Sequence, residues 1–205
     1  MSVVKLYVEG GGNRVLDQGL RDAFKRFFAR SGLPEASIVI RVCGSRRDAF
    51  RDFGIALRKA GPVQAPILLV DSEEAVLPQH FGKPWDHLLR VDRFSRPGGA
   101  TDDQAHLMVQ CMESWFLADR QWLARYFGQH FHSGALPGAS NIESIDKRRA
   151  LEALGGATKA CQKGKYNKGK HSSEILAGLD PKSVKEASAH AQRLFETLKA
   201  KGSGR

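Results

Sequence analysis

Three carboxylates follow two apolar runs that are typical of buried strands. Glu9 comes directly after the run 3–8, and Asp71 and Glu73 come after the run 66–70. Neither run alternates regularly with polar residues, which favours strands of a parallel sheet that is covered on both faces. Ligands of open α/β sheets gather outside the carboxyl ends of the strands, so the three carboxylates converge if the strands are neighbours. Clustered oxygen ligands without His or Cys suit Mg²⁺ or Mn²⁺ better than zinc. We therefore predict a metal site built from Glu9, Asp71 and Glu73.

The segment after Glu9 completes a strand, turn and helix unit. Glycines occupy positions 10–12, where they allow a tight turn and leave room for a substrate or an ion. Asn13 is the predicted N-cap of an amphipathic helix over 14–30, whose apolar residues recur at helical spacing.

A second turn of this kind joins a predicted strand over 37–42 to a predicted helix over 46–60. Gly44 and Ser45 precede Arg46 and Arg47 at the start of that helix. Helix N-termini favour anions, so both arginines are candidates to bind phosphate groups of a nucleic acid. The alternative is an ordinary capped helix.

A fourth acid, Glu113, lies at a further predicted junction between strand 106–111 and helix 112–127. Its topological place is that of Glu9, which makes it a candidate catalytic residue. The alternative is a carboxylate that only stabilises the helix dipole. Residues 74–101 have irregular character, with a short strand predicted over 88–91, and a further helix is predicted over 142–160.

The C-terminal part of the chain is strongly basic. From Thr158 onward, eleven Lys and Arg stand against four Asp and Glu, a surplus of seven within a formal net charge of +10. Such a region next to an acidic cluster indicates a polyanionic partner, although a merely solubilising surface has the same composition. Within the predicted loop 162–171, the candidates to bind nucleic acid are Lys163, Lys165, Tyr166, Lys168 and Lys170. We expect Ser172 or Ser173 to cap the next helix, a last helix over 180–199, and disorder over 201–205.

The composition narrows the class of protein. No apolar run approaches the roughly 20 residues that span a bilayer, and the first residues lack the features of a signal peptide, so we expect a cytoplasmic protein without a membrane segment. Three widely spaced cysteines argue against a disulfide framework or a zinc site. The pattern predicts an α/β fold with a mostly parallel sheet flanked by helices. We expect residues 1–127 to form the α/β core and residues 128–205 to form a helical, basic extension packed on that core. The alternative is that both parts belong to one single domain.

Two motifs resemble the TOPRIM catalytic pattern, in which a Glu ends the first strand and an Asp-x-Asp pair ends a later one. They are Val8-Glu9-Gly10 and Asp71-Ser72-Glu73. Together with the runs 107–119 and 165–171, they make nearly the full chain similar to an uncharacterised bacterial TOPRIM-like family. The resemblance implies a Rossmann-like TOPRIM fold and a metal-dependent nuclease-like site. In that site Glu9 is the general acid/base, and Asp71 and Glu73 bind Mg²⁺.

The chain departs from this pattern at Glu73, where TOPRIM proteins usually have Asp. The extra methylene group permits coordination but changes its geometry. Members of the similar family resemble companions of ATPases in anti-phage defence loci, which implies an ATPase encoded nearby as a partner.

Three functions therefore stay open. The leading hypothesis is a Mg²⁺-dependent endonuclease that acts on DNA or RNA, because a carboxylate-held metal supplies the charge neutralisation and the activated water that phosphodiester cleavage needs. The second is a non-catalytic subunit that binds nucleic acid or acts as an adaptor of an ATPase complex. The third is a phosphotransfer or phosphohydrolase enzyme for a small nucleotide.

Overall fold

A four-stranded, all-parallel sheet forms the centre of the molecule. The computed structural model describes residues 3–138 and 140–202. The strands are β1 (Val3–Val8), β2 (Ile38–Val42), β3 (Gln64–Asp71) and β4 (Ala105–Met108), and their order in the sheet is β2-β1-β3-β4. The predicted α/β class with a parallel sheet is confirmed. Because β1 and β3 are neighbours with Val8 beside Leu69, the residues that follow both strands lie at one edge of the sheet.

Helices cover both faces of this sheet. They are α1 (Arg14–Ala29), α2 (Arg46–Lys59), α3 (Pro84–Asp92), α4 (Met112–Ala118), α5 (Arg120–Phe127), α6 (Lys147–Thr158), α7 (Lys168–Gly178), α8 (Pro181–Ala187) and α9 (Ala189–Gly202). Among the described residues, no helix is long and apolar enough to cross a membrane.

The side chains of β3 alternate between two hydrophobic cores, as the period of a strand requires. Ile67 and Leu69 belong to the larger core, which β1, α1 and the helices from α4 to α9 share. Leu68 and Val70 belong to the smaller core, which they form with residues of α2 and α3 such as Phe53. The helices after residue 128 therefore bury their apolar faces in the same core as the first strand and α1.

The predicted short strand over 88–91 is wrong, because these residues lie in α3. Pro84 occupies the first turn of that helix, a position where the missing N–H of proline costs nothing. Trp85 and Leu88 are buried at helical spacing in the smaller core, whereas Leu89 is exposed. The apolar residues of this segment thus fit a helical stripe.

Two predicted long helices are interrupted by short polar side chains. The predicted helix 112–127 breaks at Asp119, whose carboxylate accepts hydrogen bonds from the N–H groups of Trp122 (2.8 Å) and Asp180 (3.0 Å). The last helix breaks at Ser188, whose hydroxyl oxygen accepts from the N–H of Ala191 at 3.0 Å. Such side chains compete with the helical hydrogen bonds of the backbone and favour caps.

Several predicted boundaries in the basic half also move. Helix α6 begins at Lys147 with Asp146 as its N-cap, and only a 3₁₀ turn covers Ile142–Ser144. Asn167 caps α7, not Ser172 or Ser173, so the last four residues of the predicted basic loop are helical. The expected disorder is wrong for Lys201, which lies in α9 and pairs with Asp103 at 2.6 Å. Residues 203–205 lie outside the described residues.

Candidate metal centre

The structure brings Glu9, Asp71 and Glu73 together at the carboxyl edge of the sheet. One carboxylate oxygen from each lies within 4.8 Å of the other two. Glu9 directly follows β1, and Asp71 is the last residue of β3. Glu73 adopts a left-handed backbone conformation with φ of 64°, and its N–H donates to the Gln110 carbonyl oxygen at 2.9 Å. This turn returns the Glu73 side chain to the cluster.

Asp71 is the most buried of the three, with 2% of its surface exposed. Its Oδ1 accepts from the Met112 N–H at 2.8 Å, at the start of α4, and its own N–H donates to Glu9 Oε1 at 3.1 Å. Burial and the adjacent Glu9 charge raise the pKa of the Asp71 carboxyl well above its ordinary value. The fold thus holds the Asp71 carboxyl at a position where its protein surroundings disfavour the charged form.

Burial also raises the pKa of Glu9, although the Arg46 guanidinium and the Asp71 N–H both favour the charged form. Glu9 Oε2 is buried and receives no hydrogen bond from the described residues, and a guanidinium nitrogen of Arg46 lies 3.6 Å away. A buried oxygen without a hydrogen bond is uncommon and needs an explanation, such as an ion.

Two cations contact the acidic cluster. The Arg46 guanidinium lies 3.6 Å from Glu9, 3.8 Å from Glu73 and 2.7 Å from Asp92. The Lys147 ammonium contacts Glu73 at 2.7 Å and lies 3.8 Å from Asp71. Sequence reasoning did not find Lys147. Its place in the predicted helix 142–160 gave no sign of a contact with a carboxylate 74 residues earlier.

The cluster forms one wall of an open cavity of about 550 Å³, a volume typical of small-ligand sites. The cavity is lined by the glycine turn after β1, by Gly44, and by residues of α1, α4, α6 and α7, including Lys168, Ser172 and Ser173. Gly10 has φ of 125°, and a Cβ atom there would lie 2.7 Å from the Leu20 side chain. Only glycine fits this turn, which leaves the cavity open beside Glu9.

Glu113 is near the cluster but lies outside the group of three carboxylates. It is fully buried, and its Oε1 accepts from the Tyr166 hydroxyl at 3.1 Å and lies 3.4 Å from the Lys168 ammonium. Burial and the Glu113 charge raise the pKa of Tyr166. Desolvation alone would lower the pKa of Lys168, but the charges of Glu113 and Asp71 outweigh it and raise that pKa.

The predicted nucleic-acid-binding residues have different surroundings. Of the basic loop, Lys168 lines the cavity, and Tyr166 is half-buried with its hydroxyl on Glu113. The exposed residues Lys163, Lys165 and Lys170 do not line it. The ammonium of Lys163 lies 4.8 Å from the centre of the Tyr126 ring, and that of Lys170 donates to the Lys163 carbonyl oxygen.

The two predicted arginines also differ. Arg46 is mostly buried among the carboxylates, whereas Arg47 is exposed.

The side chain of Lys165, from the basic loop, lies against the backbone of Gly155 in α6. The structure thus unites Arg46 and Lys168 with the acidic cluster and leaves Arg47, Lys163, Lys165 and Lys170 outside the cavity.

The fold and the site define an α/β protein that gathers acidic side chains at the carboxyl edge of a parallel sheet. A model of the family described as "Domain of unknown function (DUF4276)" matches residues 8–199, and the chain belongs to this family. No curated protein and no solved structure matches the chain. The expected membership of an uncharacterised family is confirmed, and the likeness to TOPRIM proteins stays a prediction.

Proposed function

We propose that the protein is a metal-dependent, TOPRIM-like nuclease that hydrolyses phosphodiester bonds of DNA or RNA. The observation that carries this proposal is the convergence of Glu9, Asp71 and Glu73 within 4.8 Å beside an open cavity. Two basic side chains of the same cavity wall, Arg46 and Lys168, offer positive charge to a phosphate group. The carboxylates can bind a metal cation, and the basic side chains beside them can bind the phosphate of a phosphodiester.

The residues present fit Mg²⁺ or Mn²⁺. The three side chains offer oxygen atoms only, and the oxygen Glu9 Oε2 receives no hydrogen bond from the part of the chain that the structure describes. Among the described residues around the cavity, Glu9, Asp71, Glu73, Asp92 and Glu113 form ion pairs with Arg46, Lys147 and Lys168. A divalent cation would favour the charged forms of Glu9 and Asp71, which burial disfavours, and when bound it supplies charge neutralisation at the phosphate and an activated water.

The chain's own residues bind the substrate and handle the proton. Burial raises the pKa of Glu9, and the residue lies at the cavity wall, which suits a group that takes up and releases a proton during the reaction. Lys168 lies between the buried Glu113 and the cavity, where its ammonium can hold a phosphate oxygen. In this proposal Glu113 acts through Lys168 by holding its charge in place.

The wider setting is proposed from the sequence. The basic C-terminal half supports nucleic acid as the partner. The family resemblance supports a role in anti-phage defence with an ATPase encoded nearby, and we propose that the protein acts in the cytoplasm.

A second candidate is a non-catalytic subunit that binds nucleic acid or joins an ATPase complex. The observation in its favour is that Arg46 and Lys147 already pair with the carboxylates, as in a purely structural ion-pair network.

Cleavage assays separate the candidates. Wild type is compared with Glu9→Gln and Asp71→Asn on single- and double-stranded DNA and RNA with Mg²⁺ or Mn²⁺, and Glu152→Gln serves as an exposed control. We expect cleavage by wild type and the control, and none by the two site variants. Equal cleavage by all four would refute the proposed site. Binding without any cleavage would favour the subunit. Turnover of small nucleotides alone would favour a phosphohydrolase.

A further inference from the structure

Lys147 is held by the acidic cluster itself. Its ammonium donates to both carboxylate oxygens of Glu73, at 2.8 and 2.7 Å, and lies 3.8 Å from Asp71 Oδ2. The lysine ammonium therefore lies on the same carboxylates that would bind a metal ion.

The neighbouring Arg46 is held differently. Its guanidinium makes two hydrogen bonds of 2.7 Å to the carboxylate of Asp92 and another to the carbonyl oxygen of Asp71. Only 14% of its side chain is exposed. Because these partners lie outside the three carboxylates of the cluster, Arg46 keeps its place whatever the cluster binds.

Lys147 has no such anchor for its charged end. Within the described part of the chain, its ammonium hydrogen-bonds to Glu73 alone, and 32% of the side chain is exposed at the cavity. The backbone of Lys147 is fixed at the start of α6, where its N–H donates to the Gln110 side chain at 3.3 Å. A flexible lysine on a fixed backbone can leave the carboxylates and stay in the cavity.

We propose that Lys147 is an exchangeable counter-ion of the metal site. It pairs with Glu73 and lies beside Asp71 when no divalent cation is bound, and a divalent cation displaces it because two cations a few ångströms apart repel and need the same oxygen lone pairs. The released ammonium remains at the cavity, where it is available to an anionic group of the substrate. This inference rests on the proposed function, because it assumes that the cluster binds a divalent cation.

Calorimetric titration of Mn²⁺ into chelator-treated protein tests the exchange. Lys147→Met removes the competing charge, and we expect it to bind Mn²⁺ about tenfold more tightly than wild type, the equivalent of about 1.4 kcal/mol. Lys147→Arg keeps the charge and pairs with a carboxylate through two parallel hydrogen bonds, so it should bind Mn²⁺ more weakly than wild type. Arg148→Met removes a charge from the next residue, whose side chain is 83% exposed, and should match wild type.

Thermal unfolding gives a second measure of the exchange. In chelator, Lys147→Met should unfold at a lower temperature than wild type, because the carboxylates of Glu73 and Asp71 lose their counter-charge. The gain in unfolding temperature on adding Mn²⁺ should be larger for this variant than for wild type. If Lys147→Met does not fold, the affinity of Lys147→Arg alone settles the matter.

The outcomes also separate this inference from the proposed function. If wild type binds Mn²⁺ and Lys147→Met binds equally or more weakly, or if Lys147→Arg binds as tightly as wild type, the exchange is refuted while the metal site stands. If neither wild type nor Lys147→Met binds Mn²⁺, both the exchange and the metal-dependent function are refuted.

Discussion

Replacing Arg46 by Met should destabilise the fold strongly. In chelator, the change leaves Glu9 and Asp92 without their cation, and 13% of each of these two side chains is exposed. It also removes the pair of 2.7 Å hydrogen bonds to Asp92. Removing one partner of a buried ion pair costs about 3–5 kcal/mol, because the remaining charge is left uncompensated. Arg47→Met is the matched control, since Arg47 is exposed and should change the free energy of unfolding by about 0.5 kcal/mol or less.

Urea unfolding at neutral pH in chelator measures the effect. For a slope of about 2–3 kcal/mol per molar urea, the predicted loss for Arg46→Met lowers the midpoint by about 1–2.5 M. The difference from wild type should shrink as the pH falls, because burial already raises the pKa of Glu9 in the folded protein, and the loss of the Arg46 charge, which lowers that pKa, raises it further in the variant. A folded state that binds more protons than the unfolded state gains stability as the pH falls. A loss below about 1 kcal/mol, or one that does not depend on pH, would mean that Arg46 does not compensate these acids.

Two further perturbations test parts of the fold around the site. Burial, and next the charge of Arg193, lower the pKa of His106 to about 3. As the pH drops below about 6.5, the unfolded state therefore binds a proton before the folded state does, and the free energy of unfolding falls. This contribution amounts to about 1.4 kcal/mol at pH 5.5, and His106→Asn should abolish it; the same pH dependence in both proteins would contradict the assignment. Tyr166→Phe leaves the buried Glu113 without a hydroxyl donor and should cost about 1–3 kcal/mol in urea unfolding. Tyr126 donates its hydroxyl to an exposed carboxylate, so Tyr126→Phe should cost less, and the reverse order would argue against the buried hydrogen bond between Tyr166 and Glu113.

The sequence was most informative about features that depend only on interactions between residues close together in the chain. The apolar runs that became β1 and β3, the glycine turn, and Asn13 as the cap of α1 all follow from short-range preferences. Once β1 and β3 are parallel neighbours, Glu9 and Asp71 must lie at one edge. The acidic residues of the cluster could therefore be identified before the fold was known.

Features that depend on distant contacts could not be predicted in the same way. Residues 88–91 have strand-like composition, yet they lie in α3 because their helical stripe meets the smaller core. Asp119 breaks a helix by bonding Asp180, which lies 61 residues away. Lys147 reaches Glu73 across 74 residues, and a lysine near the start of a helix carries no local sign of such a contact.

The prediction of nucleic-acid-binding residues was only partly informative about the cavity, because side-chain directions also depend on distant contacts. The basic loop was identified from composition, but composition does not say that Lys168 turns toward Glu113 while Lys163 lies over the Tyr126 ring. Net charge describes a region, whereas the direction of each side chain depends on the carboxylate or ring that packs beside it.

The most direct measurement of the metal site is calorimetric titration of Mn²⁺ into wild type and into Asp71→Asn. Asp71 is the most buried acid of the cluster, and asparagine keeps its size while removing its charge. If the cluster is a metal site, wild type binds Mn²⁺ and the variant does not. Equal binding by both proteins, or no binding by either with an oligonucleotide present, would contradict it.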